Sequence, residues 1–229
     1  MDKDEVLKWL ERKGTRRNVE GMARYGICPA RAFGVAMGTM QPLVKRLGKD
    51  HALALALWGS GWHEARILAT LVDDPRQVTR RQMNAWAADF ENWAICDTAC
   101  IRLFVRTPFA WDKAYEWAGS SREFVKRAAF ALMASLAGHD KVASDAQFLE
   151  LLALIERGAH DERRFVIKGM SWVLRRIGAR NLALNTATIA VAQRLSTSRE
   201  AAGRRIGKNA LRELASPEAR WRLASPHSV

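Results

Sequence analysis

ADFENWAICDTACIRLF, residues 88–104, sets a tryptophan, Trp93, four residues ahead of an aspartate, Asp97. If the segment is helical, that spacing stacks both side chains on one face, with Cys100 and Phe104 continuing the stripe. The carboxylate then stands in an apolar, aromatic row. An ionised group there costs free energy unless a cation is brought to it, so the pattern raises the question of which cation arrives.

Helix signals extend from this stretch in both directions, and period-2 alternation never persists long enough to make a strand. Upstream, Met1 to Lys13 reads as a helix with Val6, Trp9 and Leu10 inward and a stop at Gly14. The glycine- and proline-broken stretch MARYGICPARAFGV reads as a loop. Helices follow through Met37 to Leu47, His51 to Trp58, Trp62 to Leu71 and about Thr79 to Asp89. Downstream, Thr107 and Pro108 look like the N-cap and first position of a helix that runs to Gly119, and Ser120 with Glu123 and Ser144 with Gln147 fit capping boxes. The segments after them are REFVKRAAFALMASLAG, a helix through Phe148 and Ile155, DERRFVIKGMSWVLRRIG, two more basic helices and a short one opening at Ser216, Pro217 and Glu218.

About a dozen helices joined by short turns, recurring in pairs at roughly 40 residues, predict an all-α protein. The expected fold is a HEAT-like or armadillo-type α-solenoid of antiparallel helix pairs with a concave basic groove, formed by residues 1–229 as one repeat domain.

The chain has a formal net charge of +13, concentrated toward its end: residues 157–229 carry fifteen Lys or Arg against five Asp or Glu, and residues 1–156 carry twenty-two against nineteen. A polyanionic partner follows, with nucleic acid ahead of an acidic membrane surface. No apolar run reaches the roughly 20 residues of a membrane span, and the charged N-terminus lacks the pattern of a secretory signal, so a cytoplasmic location is expected. Cys28, Cys96 and Cys100 lack metal-ligand or CxxC spacing, and the histidines do not cluster, so no metal or other cofactor is assigned. Gly-rich phosphate loops, HExxH and GxSxG are absent, which disfavours nucleotide hydrolysis, zinc protease and serine hydrolase chemistry.

RYGI followed by GV, HALALALW with HEARILA, ENWAICD, SSREFVKRAAF and KGMSWVLRRIG occur in this order over roughly residues 20 to 185. Together they resemble the AlkD-type DNA alkylation repair glycosylases, a family of HEAT-like repeat proteins. The resemblance implies that Trp93 and Asp97 match the family's catalytic tryptophan and aspartate, that Arg127 matches its arginine, and that Trp172 matches its second tryptophan. It also implies excision of cationic N3- and N7-alkylpurines from double-stranded DNA without a base-flipping pocket. Members lacking the catalytic set bind DNA without excision.

The chemistry of such a substrate suits the residues. Glycoside cleavage usually takes two carboxyl groups, one of them an acid for the leaving group. A purine alkylated at N3 or N7 is already positive and departs neutral, so one carboxylate suffices. Asp97 would stabilise the cationic sugar and position a water, Trp93 and Trp172 would offer aromatic faces, and Arg127 would hold a backbone phosphate. Arg163, Arg164, Lys168, Arg175, Arg176 and Arg180 read as further phosphate contacts, and Tyr25 as core or groove wall. A solenoid gripping duplex on one face can work as a monomer.

Taken singly, each residue has a plainer reading. Trp93 could be core, Asp97 an ion-pair partner of Arg102 or Arg127, Arg127 a helix-edge surface charge, and Trp172 a packing partner of Phe165 or Val173. The cations could line a solvated helix face. Glu64 in WHEAR is expected to pair with Arg66 or Arg31 and receives no chemistry. The alternatives to a glycosylase are a non-catalytic HEAT-repeat binder of damaged or branched DNA, and a protein scaffold.

Overall fold

α5 (His63–Val72) and α9 (Glu123–His139) bury the largest share of their residues. Eleven consecutive residues of α9, Arg127 to Ala137, are buried, as expected of a helix whose alanine-rich sequence is apolar on every side. The computed structural model describes residues 1–216, and within them every regular element is a helix. None of these is long and apolar enough to cross a membrane. The short final helix expected after Ser216 lies outside the described residues.

The chain divides into two compact units, Met1–Ala110 and Trp111–Val229. In the first, α1 (Lys3–Lys13), α3 (Met37–Leu47), α4 (His51–Gly59) and α7 (Trp93–Arg102) pack against α5, whose Ala65, Leu68, Ala69 and Val72 are fully buried. The remaining helices are α2 (Arg16–Met22) and α6 (Arg80–Ala88), with 3-10 turns at Ala23–Tyr25 and Phe104–Arg106. In the second unit α9 packs on α11 (Arg164–Gly178), and α11 on α13 (Ala201–Leu214). α10 (Asp145–Gly158) packs on α12 (Leu182–Ser196), while α8 (Ala110–Ala118) opens the unit. Every second helix thus stacks on the one two before it, which is the two-layer order of a helical repeat array. α9, α11 and α13 begin at Glu123, Arg164 and Ala201, steps close to the roughly 40 residues expected.

Three local expectations fail for identifiable reasons. Arg16 to Met22, within and ahead of the expected loop, forms a helix capped by the Thr15 hydroxyl; it buries no residue, so it shows no apolar period. Ser120 and Glu123 do not form a capping box. Arg122 is the N-cap, and the Glu123 carboxylate instead accepts the N–H of Phe165 at 3.2 Å, a first-turn donor of α11 without a helical partner. The Thr107 hydroxyl donates back to the Phe104 carbonyl at 2.8 Å, ending a 3-10 turn, and α8 starts at Ala110. The Ser144–Gln147 box is present.

Among the aromatic side chains, Trp58 and Trp117 are buried. Trp58 lies parallel to Trp86 at 4.0 Å and Trp62 stacks on Phe33 at 3.9 Å, whereas Tyr115 is on the surface. Buried carboxylates are partnered, as low dielectric requires. Asp73, fully buried, meets His51 Nδ1 and Gln82 Nε2, each at 2.6 Å.

Candidate functional site

In the first unit the local sequence fixes where Trp93 and Asp97 stand. Asn92, fully buried, accepts the N–H groups of Ala94 and Ile95 at 3.1 and 3.2 Å and starts α7 at Trp93. Asp97 then falls one turn along. Ile95, Cys96, Ala99 and Cys100 are completely buried, while Trp93 and Asp97 are half-buried, so the carboxylate sits where the apolar face of α7 meets its surface. The indole N–H of Trp93 donates to the Tyr25 carbonyl at 2.9 Å, which fixes the ring from a residue distant in sequence. Tyr25 itself is 68% exposed and lines an open cavity of about 440 Å³ with Arg17, Asn18, Arg24 and Val35.

Glu64 is not an arginine's partner. Its side chain is fully buried and accepts three backbone N–H groups, from Phe33 at 2.9 Å, Gly34 at 2.7 Å and Val35 at 3.2 Å. Arg66 lies instead 3.7 Å from both Asp89 and Glu91, and Arg31 over the Trp62 ring. Adjacent residues on a helix point in different directions, so a buried Glu64 is closed off from its neighbours in sequence.

In the second unit Arg127 is buried rather than at a helix edge. Its guanidinium donates to the Phe165 carbonyl at 2.7 Å and stands 5.9 Å from the Phe165 ring. Arg164 and Lys168 approach the same ring at 5.5 and 5.8 Å. Three cations therefore stand within 6 Å of one phenyl ring. Lys168 is pushed below its ordinary value, first by burial and then by the charges of Arg164 and Arg127. Trp172, half-buried, lies one turn beyond Lys168, and Arg164, Lys168, Trp172 and Arg176 form one accessible stripe along α11.

The other basic positions have partners within the fold. Arg163 grips Asp161 through two nitrogens at 2.9 and 2.6 Å and also donates to the Ser121 carbonyl, while Lys126 reaches Asp161 at 2.9 Å. Arg163, then Lys126, hold the Asp161 carboxyl far below the usual carboxylate range, against the opposing effect of burial. Arg175 pairs with Glu213 at 2.8 Å, and Arg180 donates to the Ala137 carbonyl at 2.7 Å while lying 4.0 Å over Phe148. Arg176 is exposed and runs against Gly138.

Sequence reasoning missed two residues that shape these surroundings. Asn92 was legible, being an N-cap type immediately before the helix. Phe165, the ring on which three cations converge, carried no signal, because its partners come from two helices. Among the described residues no group of three or more His, Cys, Asp or Glu is arranged to hold a metal ion.

The sequence matches a family model described as DNA alkylation repair enzyme over residues 6–222. No curated protein gives a match. Among solved structures, the chain is similar to a member of a new family of proteins related to the HEAT-like repeat DNA glycosylases with affinity for branched DNA structures. The TM-score is 0.81 at 20% sequence identity, covering 100% of this chain and 99% of that one. The likeness identifies the all-helical architecture as the HEAT-like repeat fold.

Proposed function

Because the chain belongs to the DNA alkylation repair enzyme family, we propose that it is a DNA glycosylase acting on cationic N3- or N7-alkylated purines in double-stranded DNA. The observation that carries this reading is the half-buried Asp97 one turn from a Trp93 whose ring is held by the Tyr25 carbonyl. A fixed aromatic face beside a carboxylate favours a developing positive charge, since neither group has to reorganise as the charge forms.

In the reaction the bond between C1′ and the purine nitrogen breaks, and its electron pair leaves with the base. The alkylated purine thereby becomes neutral and needs no acid. Asp97 stabilises the oxocarbenium-like sugar and orients the water that adds to C1′, which then loses a proton to solvent. Trp93 offers an aromatic face to the sugar and lesion, the role that the family's pattern also assigns to Trp172. Arg127, with Arg164 and Lys168 around Phe165, supplies positive charge for the phosphodiester, and Arg176 extends it along α11. The enzyme works as a monomer without drawing the base into a pocket.

A second reading is a non-catalytic binder of branched DNA. It is favoured by the fold shared with a protein described as having affinity for such structures.

The test is release of labelled 7-methylguanine and 3-methyladenine from alkylated duplex, comparing the wild type with Asp97→Asn at matched circular dichroism. The expected result is release by the wild type and a loss of about 100- to 1,000-fold or more in Asp97→Asn, with duplex affinity retained. Release no faster than the spontaneous rate, with binding intact, would overturn the glycosylase in favour of the binder.

A further inference from the structure

The buried Glu64 sits at one end of a chain of hydrogen bonds that ends on Trp93. Its carboxylate takes the N–H of Gly34 at 2.7 Å, with those of Phe33 and Val35 beside it. The Gly34 carbonyl accepts from the opposite side, from Asn18 Nδ2 at 2.8 Å and the Thr15 N–H at 3.3 Å. Thr15 is the N-cap of α2, and Asn18 lies in its first turn, so both ends of the Gly34 peptide are bonded, one to α5 and one to α2. α2 leads directly into the 3-10 turn that presents Tyr25, and the Tyr25 carbonyl accepts the Trp93 indole N–H.

α2 has no fully buried residue, and its position rests on these bonds together with the partial packing of the half-buried Val19 and Met22. Gly34 is the hub because nothing larger fits: a Cβ there would lie 2.2 Å from the Thr15 carbonyl oxygen and 2.9 Å from Val19 Cγ2.

We infer that Glu64 is a positioning residue for Trp93, acting through Gly34, α2 and the Tyr25 carbonyl. The inference deepens the glycosylase reading and rests on it for its catalytic consequence, but the geometry it concerns exists in the free protein. Replacing the carboxylate by an amide leaves one acceptor oxygen for three donors and turns an N–H₂ toward the loop. α2 then loses its register on α5, and the indole loses its fixed acceptor.

The experiment is a ¹H–¹⁵N spectrum of the full chain, with the Trp93 indole resonance identified by its disappearance in Trp93→Phe. In Glu64→Gln that resonance should shift and its N–H exchange faster with solvent. The indole N–H of Trp58, bonded to Asp89 at 2.8 Å in the same unit, should stay unchanged. Asn18→Ala, an exposed substitution that removes one bond to Gly34, should shift the Trp93 resonance in the same direction and serves if Glu64→Gln does not fold. On alkylated duplex, kcat should fall by about 10- to 100-fold with KM little changed. An unmoved Trp93 resonance in a folded variant overturns the inference. Absence of excision by the wild type overturns the glycosylase reading alone, and the indole resonance still decides the role of Glu64.

Discussion

Gly34→Ala should be among the costliest single-methyl additions in the first unit, and the structure supplies its own control. Gly34 and Gly61 both adopt positive φ, +80° and +75°, where an L side chain is strained by about 1–2 kcal/mol. At Gly61 nothing lies within 4 Å of the added methyl, so the backbone strain is the whole cost. At Gly34 the methyl meets the Thr15 carbonyl oxygen at 2.2 Å, a backbone atom that cannot turn aside. Relief requires α2 to move, breaking the bonds from Asn18 and Thr15 to the Gly34 carbonyl, each worth about 1 kcal/mol. Gly34→Ala should therefore cost about 3–4 kcal/mol and Gly61→Ala about 1–2 kcal/mol. Urea unfolding followed by circular dichroism measures both. Equal costs, within about 0.5 kcal/mol, would refute the claim that α2 is held against a packed Gly34.

Two further outcomes test the charges. Burial pushes the His63 imidazole below its ordinary value of 6.5, with Glu64 opposing and Arg66 assisting. The unfolded chain then binds a proton that the folded chain resists, so the stability is complete above pH 6.5 and is lost as pH falls through the folded value. Melting temperatures of wild type and His63→Gln between pH 7.5 and 5 should converge on acidification, and parallel curves would refute this origin. In the second unit, Arg164→Gln with Lys168→Gln should lower the slope of log affinity against log salt for plain duplex by about 1.8, or about 0.9 per phosphate contact. Arg175→Gln, whose guanidinium is already paired with Glu213, should leave that slope unchanged.

The helical plan was legible because each long helix carries its own apolar period and its own stop. Gly14 and Gly48 end α1 and α3, and Ser144 with Gln147 opens α10. The spacing that puts Trp93 and Asp97 on one face was legible for the same local reason. Glu64 was not. A carboxylate two positions ahead of Arg66 reads as an ion-pair partner, whereas its partners are amides about thirty residues back, and backbone donors leave no mark on side-chain identity. Arg127 reads as a helix-edge charge until α11 brings the Phe165 carbonyl within 2.7 Å. The same arginine-rich pattern hid a division of labour. Arg163, Arg175 and Arg180 tie parts of the second unit together, while Arg164, Lys168 and Arg176 are the more accessible members of the set, or in Arg176's case exposed against a glycine.

The close approaches in the second unit have a mechanical side. At Gly169 a methyl would stand 3.0 Å from Phe130 Cβ, so the separation of α9 and α11 is set by the absence of one side chain. At Gly207 it would stand 2.4 Å from the Ala192 carbonyl oxygen, and α12 and α13 are spaced in the same way. In a stacked array each such spacing is a step in a staircase: widening one tread tilts every tread above it. A methyl at Gly169 would act as a shim beneath α11, and α13, which rests on α11, would swing as the end of a lever. The glycines thus calibrate how far the cations of successive helices stand apart, a distance that a polymer with evenly repeated charges would read as matched or mismatched pitch.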